Sequence, residues 1–310
     1  MENVPGLAQS RYRAILEEAM ARLERGGYQV IAPVRLLNAS DYGVSQDRAR
    51  AILIGWAEGQ TPIDYPAPQE GDPPTVWDAI GDIAELCNPT RVRAANEIIL
   101  TDRELFCLNE KASTYVTGLR DACAKPDHRG WTRIWDERLL TNVQSTVHAQ
   151  HVIDRFQGTS QGDFEAVSRY PRLRAHGLAT TLRAGSGRER GAYTSPRPIH
   201  PYQNRVITVR EGARLHSFPD WFRFHMTTWH GFRQVGNAVP PLMARHIANA
   251  VLAGIGSIVP PAPHPVPLGR LRTLRMGMSE AAAYFLADQQ HLPGPDPRDK
   301  KKKSSQSPAS

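Results

Sequence analysis

The 310 residues contain no run of 18 apolar residues and only three cysteines, Cys87, Cys107 and Cys123. The first absence excludes a transmembrane helix, because a bilayer core requires about 20 consecutive apolar residues. A signal-peptide core is also missing: Glu2, Arg11, Arg13, Glu17, Glu18, Arg22, Glu24 and Arg25 break up the first thirty residues. A cytoplasmic location is expected. The cysteines are odd in number and 20 and 16 residues apart, which argues for unpaired thiols in a reducing compartment rather than a disulfide framework. No metal site is read around His148, His151 or His176, which lack the ligand spacing of zinc motifs.

What is present is a globular balance, 40% hydrophobic and 22% charged. The net charge is +7. Between residues 169 and 214 ten arginines face only Glu189 and Glu211, a local excess of eight that exceeds the whole-chain total. Such a stretch suits phosphate contacts, and a solvated arginine-rich face is the plainer alternative. Residues 292–310, with the Lys300 to Lys303 run, are polar and rich in proline and serine. Disorder is expected there.

Residues 7–24 place Leu7, Ile15, Leu16, Ala19, Met20 and Leu23 largely on one helical face, closed by Gly26 and Gly27. The segments 28–39 and 50–56 are apolar and β-prone, with a polar connection between them. So short a connection predicts antiparallel pairing, since a parallel return needs a dozen or more residues. The preceding helix then needs further strands to pack against. From residue 58 the chain becomes proline-rich and irregular, with one short helix expected near 76–86. Helical periodicity returns at 205–218, capped by Thr208 with Glu211 three residues on. A Gly236-Asn237 turn and two prolines then open a strong helix, and 278–290 offers one more.

Four motifs in order carry chemistry. They are Glu-Asn-Val at Glu2–Val4, the Asp41–Arg50 stretch with Gln46, Arg48 and Arg50, the Arg205–Asp220 stretch, and Gly236–Pro241. Together, with a variable region between the second and third, they resemble the C5-cytosine DNA methyltransferases. Residues 177–201 are similar to the end of that family's target-recognition domain. The resemblance runs from residue 2 to about 256, with Ser45 standing where the family usually has proline.

The resemblance implies an α/β fold: the C-terminal part of a Rossmann-like S-adenosylmethionine-dependent methyltransferase domain plus a smaller irregular target-recognition domain. Residues 1–57 would belong to the catalytic domain, 58–231 to target recognition with its scaffold motif, 232–256 to a helix returning to the catalytic domain, and 257–310 to an extension. The implied activity is methyl transfer from S-adenosylmethionine to C5 of a cytosine flipped out of double-stranded DNA, as in restriction-modification. Glu2 would protonate N3, while Arg50 and less directly Arg48 would hold the cytosine O2 and the nucleophile loop. Asn237, Ala238 and Val239 would face the cofactor. Arg183, Ser186, Arg188 and Arg190 would contact DNA, and Arg205, Thr208, Arg210 and Glu211 would form a scaffold.

The family's Gly-rich cofactor loop and Pro-Cys nucleophile loop precede Glu-Asn-Val, and no cysteine of this chain follows a proline. The resemblance therefore implies an N-terminal methyltransferase polypeptide carrying the nucleophilic cysteine. Without it Glu2 is expected to be untethered beside the α-amino charge, and the chain alone inactive. A noncatalytic DNA-binding remnant is the alternative, and an RNA substrate a third reading.

Overall fold

The structure, a computed structural model, describes residues 1–92, 95–121, 132–185, 197–256 and 264–285. The chain divides into two units, Met1–Leu268 and Gly269–Ser310. Within the first, a short strand β1 (Glu2–Asn3) leads through two 3-10 turns to helix α1 (Arg13–Arg25). Then come β2 (Tyr28–Val30), β3 (Arg35–Asn38), β4 (Ala49–Ile52) and β5 (Gly55–Ala57).

The antiparallel pairing expected for these segments is observed, in two pieces. β2 pairs with β5, and β3 pairs with β4, bringing Leu37 opposite Arg50 and Asn38 opposite Ala49. The single strand read at 28–39 is thus interrupted at 31–34, where Pro33 offers no ladder donor. β1 adds antiparallel to the other edge of β4, giving an all-antiparallel sheet of order β1-β4-β3 with Glu2 opposite Ile52.

Helix α1 differs from its expectation. It begins at Arg13, and Leu7 lies in a 3-10 turn. No residue of α1 is fully buried, and Ile15 is 63% exposed. The apolar face read from the sequence is only partly covered: Leu16, Ala19 and Met20 are half-buried, whereas Ile15 and Leu23 are exposed.

The segment after residue 58 is richer in helix than its prolines suggested. It contains α2 (Val76–Ile80), α3 (Pro89–Val92), β6 (Glu97–Ile99), α4 (Asp102–Lys111), α5 (Thr114–Arg120), β7 (Arg133–Ile134), β8 (Leu139–Thr141) and α6 (Gln150–Gln157). The starts of α2 and α4 have local causes: Thr75 with Asp78 and Thr101 with Glu104 close reciprocal capping boxes. These helices are short, so their apolar periodicity is hard to see in sequence.

Next come α7 (Val209–Leu215), α8 (Thr228–Asn237) and α9 (Pro241–Gly254). Thr208 caps α7 through Glu211 as expected, although the helix is shorter than the 205–218 span read from periodicity. Gly236 and Asn237 end helix α8 instead of forming a turn of their own, which corrects the sequence reading. Pro241 then takes the first position of α9, where a missing N–H costs nothing. Ser217, held at φ +63°, accepts a hydrogen bond from Leu242 N at 3.1 Å and so caps α9 from a distant loop. A two-residue strand β9 (Val266–Pro267) pairs parallel with β7.

The buried residues separate into clusters. Leu37, Tyr42, Val44, Ile52, Ile54 and Met243 fill the space between the β3-β4 pair and α9. Val76, Ile80, Leu182, Val209, Leu215 and Phe232 join α2, α7 and α8. Each such side chain contributes roughly 1.5–3 kcal/mol on burial. The second unit holds a 3-10 turn at Leu271–Arg275 and helix α10 (Met278–Tyr284), within the helix expected at 278–290. The expected disorder of 292–310 lies outside the described residues.

Candidate functional site

The loop before β4 sets the site. Gln46 and Ala179 form a parallel bridge, with Asp47 N donating to Ala179 O at 2.9 Å and Ala179 N to Ser45 O at 3.0 Å. Residues 179–182 are thereby laid along residues 45–48. Alternation along β4 then sends Arg48 and Arg50 toward the same side.

Their surroundings differ. Arg50 places its Nε 2.9 Å from Glu2 Oε1, and its Nη1 donates to Ala49 O. The Arg50 side chain is 10% exposed and that of Glu2 34%, so the pair sits at a rim. Arg48 has no exposure at all. Its Nη1 donates to Leu182 O at 2.8 Å, and its Nη2 to Gly236 O at 2.6 Å and Ala238 O at 3.0 Å. Three carbonyls thus consume its donors, leaving only Nε unpartnered. Burial and the neighbouring Arg50 push the Arg48 pKa down to about 9. Burial also lowers that of Arg50, against the opposing pull of Glu2. Both remain cations at neutral pH, so two positive charges share one carboxylate.

The expectation that Glu2 is untethered does not hold. β1 fixes it opposite Ile52, and Met1 spends its α-amino group on Leu53 O at 2.8 Å while its carbonyl accepts from Leu53 N at 2.9 Å. Two residues suffice because β4 supplies the ladder.

A recess of about 370 Å3 adjoins this pair, lined by Glu2, Ile54, Val239, Ile247 and Val251 among others. Of the three residues expected at the cofactor, only Val239 lines it. Ala238 directs its carbonyl to Arg48 and His216, and Asn237 is exposed at the end of α8. An apolar wall with one carboxylate at its rim fits one side of a cationic, partly apolar cofactor. A larger cleft of about 1160 Å3, against a neighbouring face of α9, contains none of the expected site residues.

Gln46 and His216 were not among the expected site residues, although both stand inside quoted motifs. Gln46 Nε2 donates to Leu215 O at 3.4 Å and to His216 Nδ1 at 3.3 Å. His216 Nε2 lies 3.0 Å from Ala238 O, an acceptor, which assigns the proton to Nε2. Burial, reinforced by the Arg48 charge, pushes the His216 pKa down to about 3, so the ring is neutral. A buried polar residue beside a motif arginine was the available signal.

The scaffold residues form a buried network. Arg205 meets Glu211 through two bonds of 2.8 and 2.7 Å, and Thr208 N donates to the same carboxylate at 2.6 Å. Burial would raise the Glu211 pKa, but Arg205 outweighs it and the carboxylate stays ionised. Arg210 donates to Thr141 O at 2.9 Å, Thr141 Oγ1 at 2.8 Å and Phe222 O at 2.7 Å. Arg214, not anticipated, lies between Asp220 and Asp82 at 2.7 and 2.5 Å. Of the expected DNA contacts, Arg183 is exposed, while Ser186, Arg188 and Arg190 lie outside the described residues.

The sequence descriptor for C-5 cytosine-specific DNA methylases matches residues 1–253. The type II methyltransferase M.XorII of Xanthomonas oryzae pv. oryzae is 43% identical over 285 residues, covering 92% of this chain and 65% of that protein. M.AgeI of Thalassovita gelatinovora is 29% identical, over 82% of this chain and 73% of that protein. The chain thus spans under two thirds of the first of these relatives, under three quarters of the second, and 55% of M1.HphI of Haemophilus parahaemolyticus. A solved E. coli prophage protein that bears the name of a DNA modification methyltransferase superposes with a TM-score of 0.61 at 30% identity. That superposition covers 83% of this chain and 69% of the other. The chain belongs to the C-5 cytosine-specific DNA methylase family.

Proposed function

We propose that this chain supplies target recognition, the Glu2 and Arg50 pair and the cofactor turn of a cytoplasmic DNA (cytosine-5)-methyltransferase. The reaction transfers a methyl group from S-adenosylmethionine to C5 of a cytosine flipped out of double-stranded DNA. The observation that carries this reading is the Glu2–Arg50 contact of 2.9 Å at the rim of a recess shared with Val239. It joins the first, second and fourth motifs in one place.

Cytosine is a poor electrophile, and addition of a thiolate to C6 makes C5 nucleophilic. Glu2, after taking up a proton from solvent at its exposed rim, passes it to N3 in that step, and Arg50 holds O2, where a fixed cation stabilises developing negative charge. Asn237, Ala238 and Val239 would border S-adenosylmethionine, Val239 from the recess wall, and the cofactor would supply the methyl group when bound. Arg183, Ser186, Arg188 and Arg190 contact the duplex, and Arg205, Thr208, Arg210 and Glu211 hold the recognition part in shape.

The thiolate comes from outside these 310 residues. Cys87 is fully buried, and burial, aided by the Glu211 charge, pushes its thiol up to about 12. Cys107 is exposed on α4, and neither it nor Cys123 follows a proline as the family's nucleophile does. Inactivity of the chain alone follows from that lack, not from a loose Glu2. The same proposal divides the chain into Rossmann-like (1–57, 232–256) and recognition (58–231) parts, joined across that boundary by Phe232 and Val235, which pack with α2 and α7, and by Ile63, which packs with the α9 cluster.

The test is tritium transfer from labelled S-adenosylmethionine to mixed-sequence duplex DNA, with the chain alone and with a polypeptide bearing the family's Pro-Cys loop. Incorporation only in the mixture is expected. No incorporation in a folded mixture that still binds duplex would favour the noncatalytic remnant.

A further inference from the structure

The cofactor turn and the recognition segment are tied together twice. Both hydrogen-bonding groups of the Leu182 peptide are taken up by side chains that end on Ala238. Leu182 O accepts from Arg48 Nη1 at 2.8 Å, and the same guanidinium donates to Ala238 O at 3.0 Å. Leu182 N donates to Gln46 Oε1 at 3.3 Å, Gln46 Nε2 donates to His216 Nδ1, and His216 Nε2 donates to Ala238 O at 3.0 Å. Every linking side chain is fully buried. Water therefore offers these groups no substitute partner, and a shift of one end strains the other.

Packing adds a third, independent tie. Gly236 lies so close to the recognition segment that a Cβ there would stand 2.5 Å from Ala184 N and 2.6 Å from the Arg183 carbonyl carbon. Both are backbone atoms, so nothing flexible can yield. Residues 182–184 open the segment expected to contact DNA, beginning with Arg183, and Gly236 immediately precedes Asn237, Ala238 and Val239, the residues expected at the cofactor.

We infer that Arg48, Gln46 and His216 are positioning residues that couple duplex binding at the recognition segment to the geometry of the cofactor turn. This deepens the proposed function and rests on it. Arg48 then acts through the Leu182 and Ala238 carbonyls and not by touching the base, whereas Arg50 remains the group at the rim. The coupling is reciprocal: whatever duplex does to cofactor affinity, cofactor does to duplex affinity by the same factor.

The experiment uses the 310-residue chain and a readout that needs no turnover. Hydrogen exchange of the 236–242 amides is followed by mass spectrometry with and without a mixed-sequence duplex, in wild type, Gln46→Met and His216→Phe. Duplex is expected to slow exchange in 236–242 by at least about fivefold in wild type, the lower end of common coupling factors. Both variants should lose that response while binding duplex within about threefold of wild type, since both side chains are fully buried. Should Gln46→Met fail to fold, His216→Phe, which leaves Gln46 Oε1 on Leu182 N, carries the test alone. Duplex binding with no response in 236–242, or an undiminished response in the variants, overturns the coupling and leaves the proposed function standing. No duplex binding by folded wild type overturns both.

Discussion

Two arginine clusters in this chain look alike in sequence and behave differently in space. At the scaffold, Arg205, Arg210 and Arg214 are 2%, 0% and 0% exposed, and carboxylates or carbonyls take up their donors. At the site, Arg48 is equally buried, but Arg50 reaches a rim where its partner Glu2 is one third exposed. The first arrangement can only hold shape, because a ligand would have to displace internal partners in a medium that punishes every unpaired charge. The second leaves a cation and a carboxylate where a substrate can reach them. Burial of the partner, more than the identity of the arginine, separates framework from chemistry.

That contrast is most sharply broken at Asp220. Its carboxylate faces Arg214 at 2.7 Å, Arg120 at 3.3 Å and Arg210 at 3.7 Å. Asp220→Ala should cost about 3–5 kcal/mol, because it strands buried cations, and urea unfolding followed by circular dichroism measures it. An effect below about 1 kcal/mol would mean that the network is not the scaffold described above.

At the site, the expected effect moves from stability to turnover. Arg50→Ala should lower methyl transfer by the reconstituted enzyme roughly 100- to 1000-fold, the usual loss for one preorganised donor. Its stability loss should stay below that of Asp220→Ala, since Glu2, one third exposed, rehydrates when Arg50 is removed. Equal losses of turnover and duplex binding would remove Arg50 from the chemistry.

Acid should act on the buried histidines before the carboxylates. Burial pushes the pKa of His216 to about 3 and that of His200 to about 4, with nearby arginines reinforcing both shifts and Glu211 opposing that of His200. Unfolded histidines titrate near 6.5, so between that value and the folded pKa the unfolded chain binds more protons. The stabilisation is complete above about pH 6.5 and is lost as pH falls, with a slope approaching 1.4 kcal/mol per pH unit for each ring. Melting temperatures between pH 7.5 and 5 should show the decline, and His216→Phe should make it shallower.

The smallest effect belongs to exposed Arg183. Its replacement by alanine should reduce the slope of log affinity against log salt for duplex by about 0.9, one phosphate contact. An unchanged slope would take that side chain out of the interface.

Much of this was legible in the sequence for identifiable reasons. The Thr208 and Glu211 cap depends on a three-residue spacing, and the β3-β4 pairing on a connection too short for a crossover. Local rules suffice in both cases. The helices between residues 76 and 157 were less legible because several are only four to eight residues long, too short for an apolar face to repeat. Gly236-Asn237 looked like a turn for a related reason: glycine and asparagine signal turns locally, yet here Arg48 gathers the carbonyls at the end of α8.

The sequence by itself determined the four motifs, their order and the family to which they point, because chemistry that needs a carboxylate, two arginines and a Gly-Asn element leaves those residues at fixed spacings. Packing alone settles which arginine reaches the rim beside Glu2 and which is spent on carbonyls. That difference depends on where residues 179–182 and 236–238 come to lie against β4. Contacts of such sequence separation are set by the packing of α7, α8 and α9 as a whole, and no local rule encodes them.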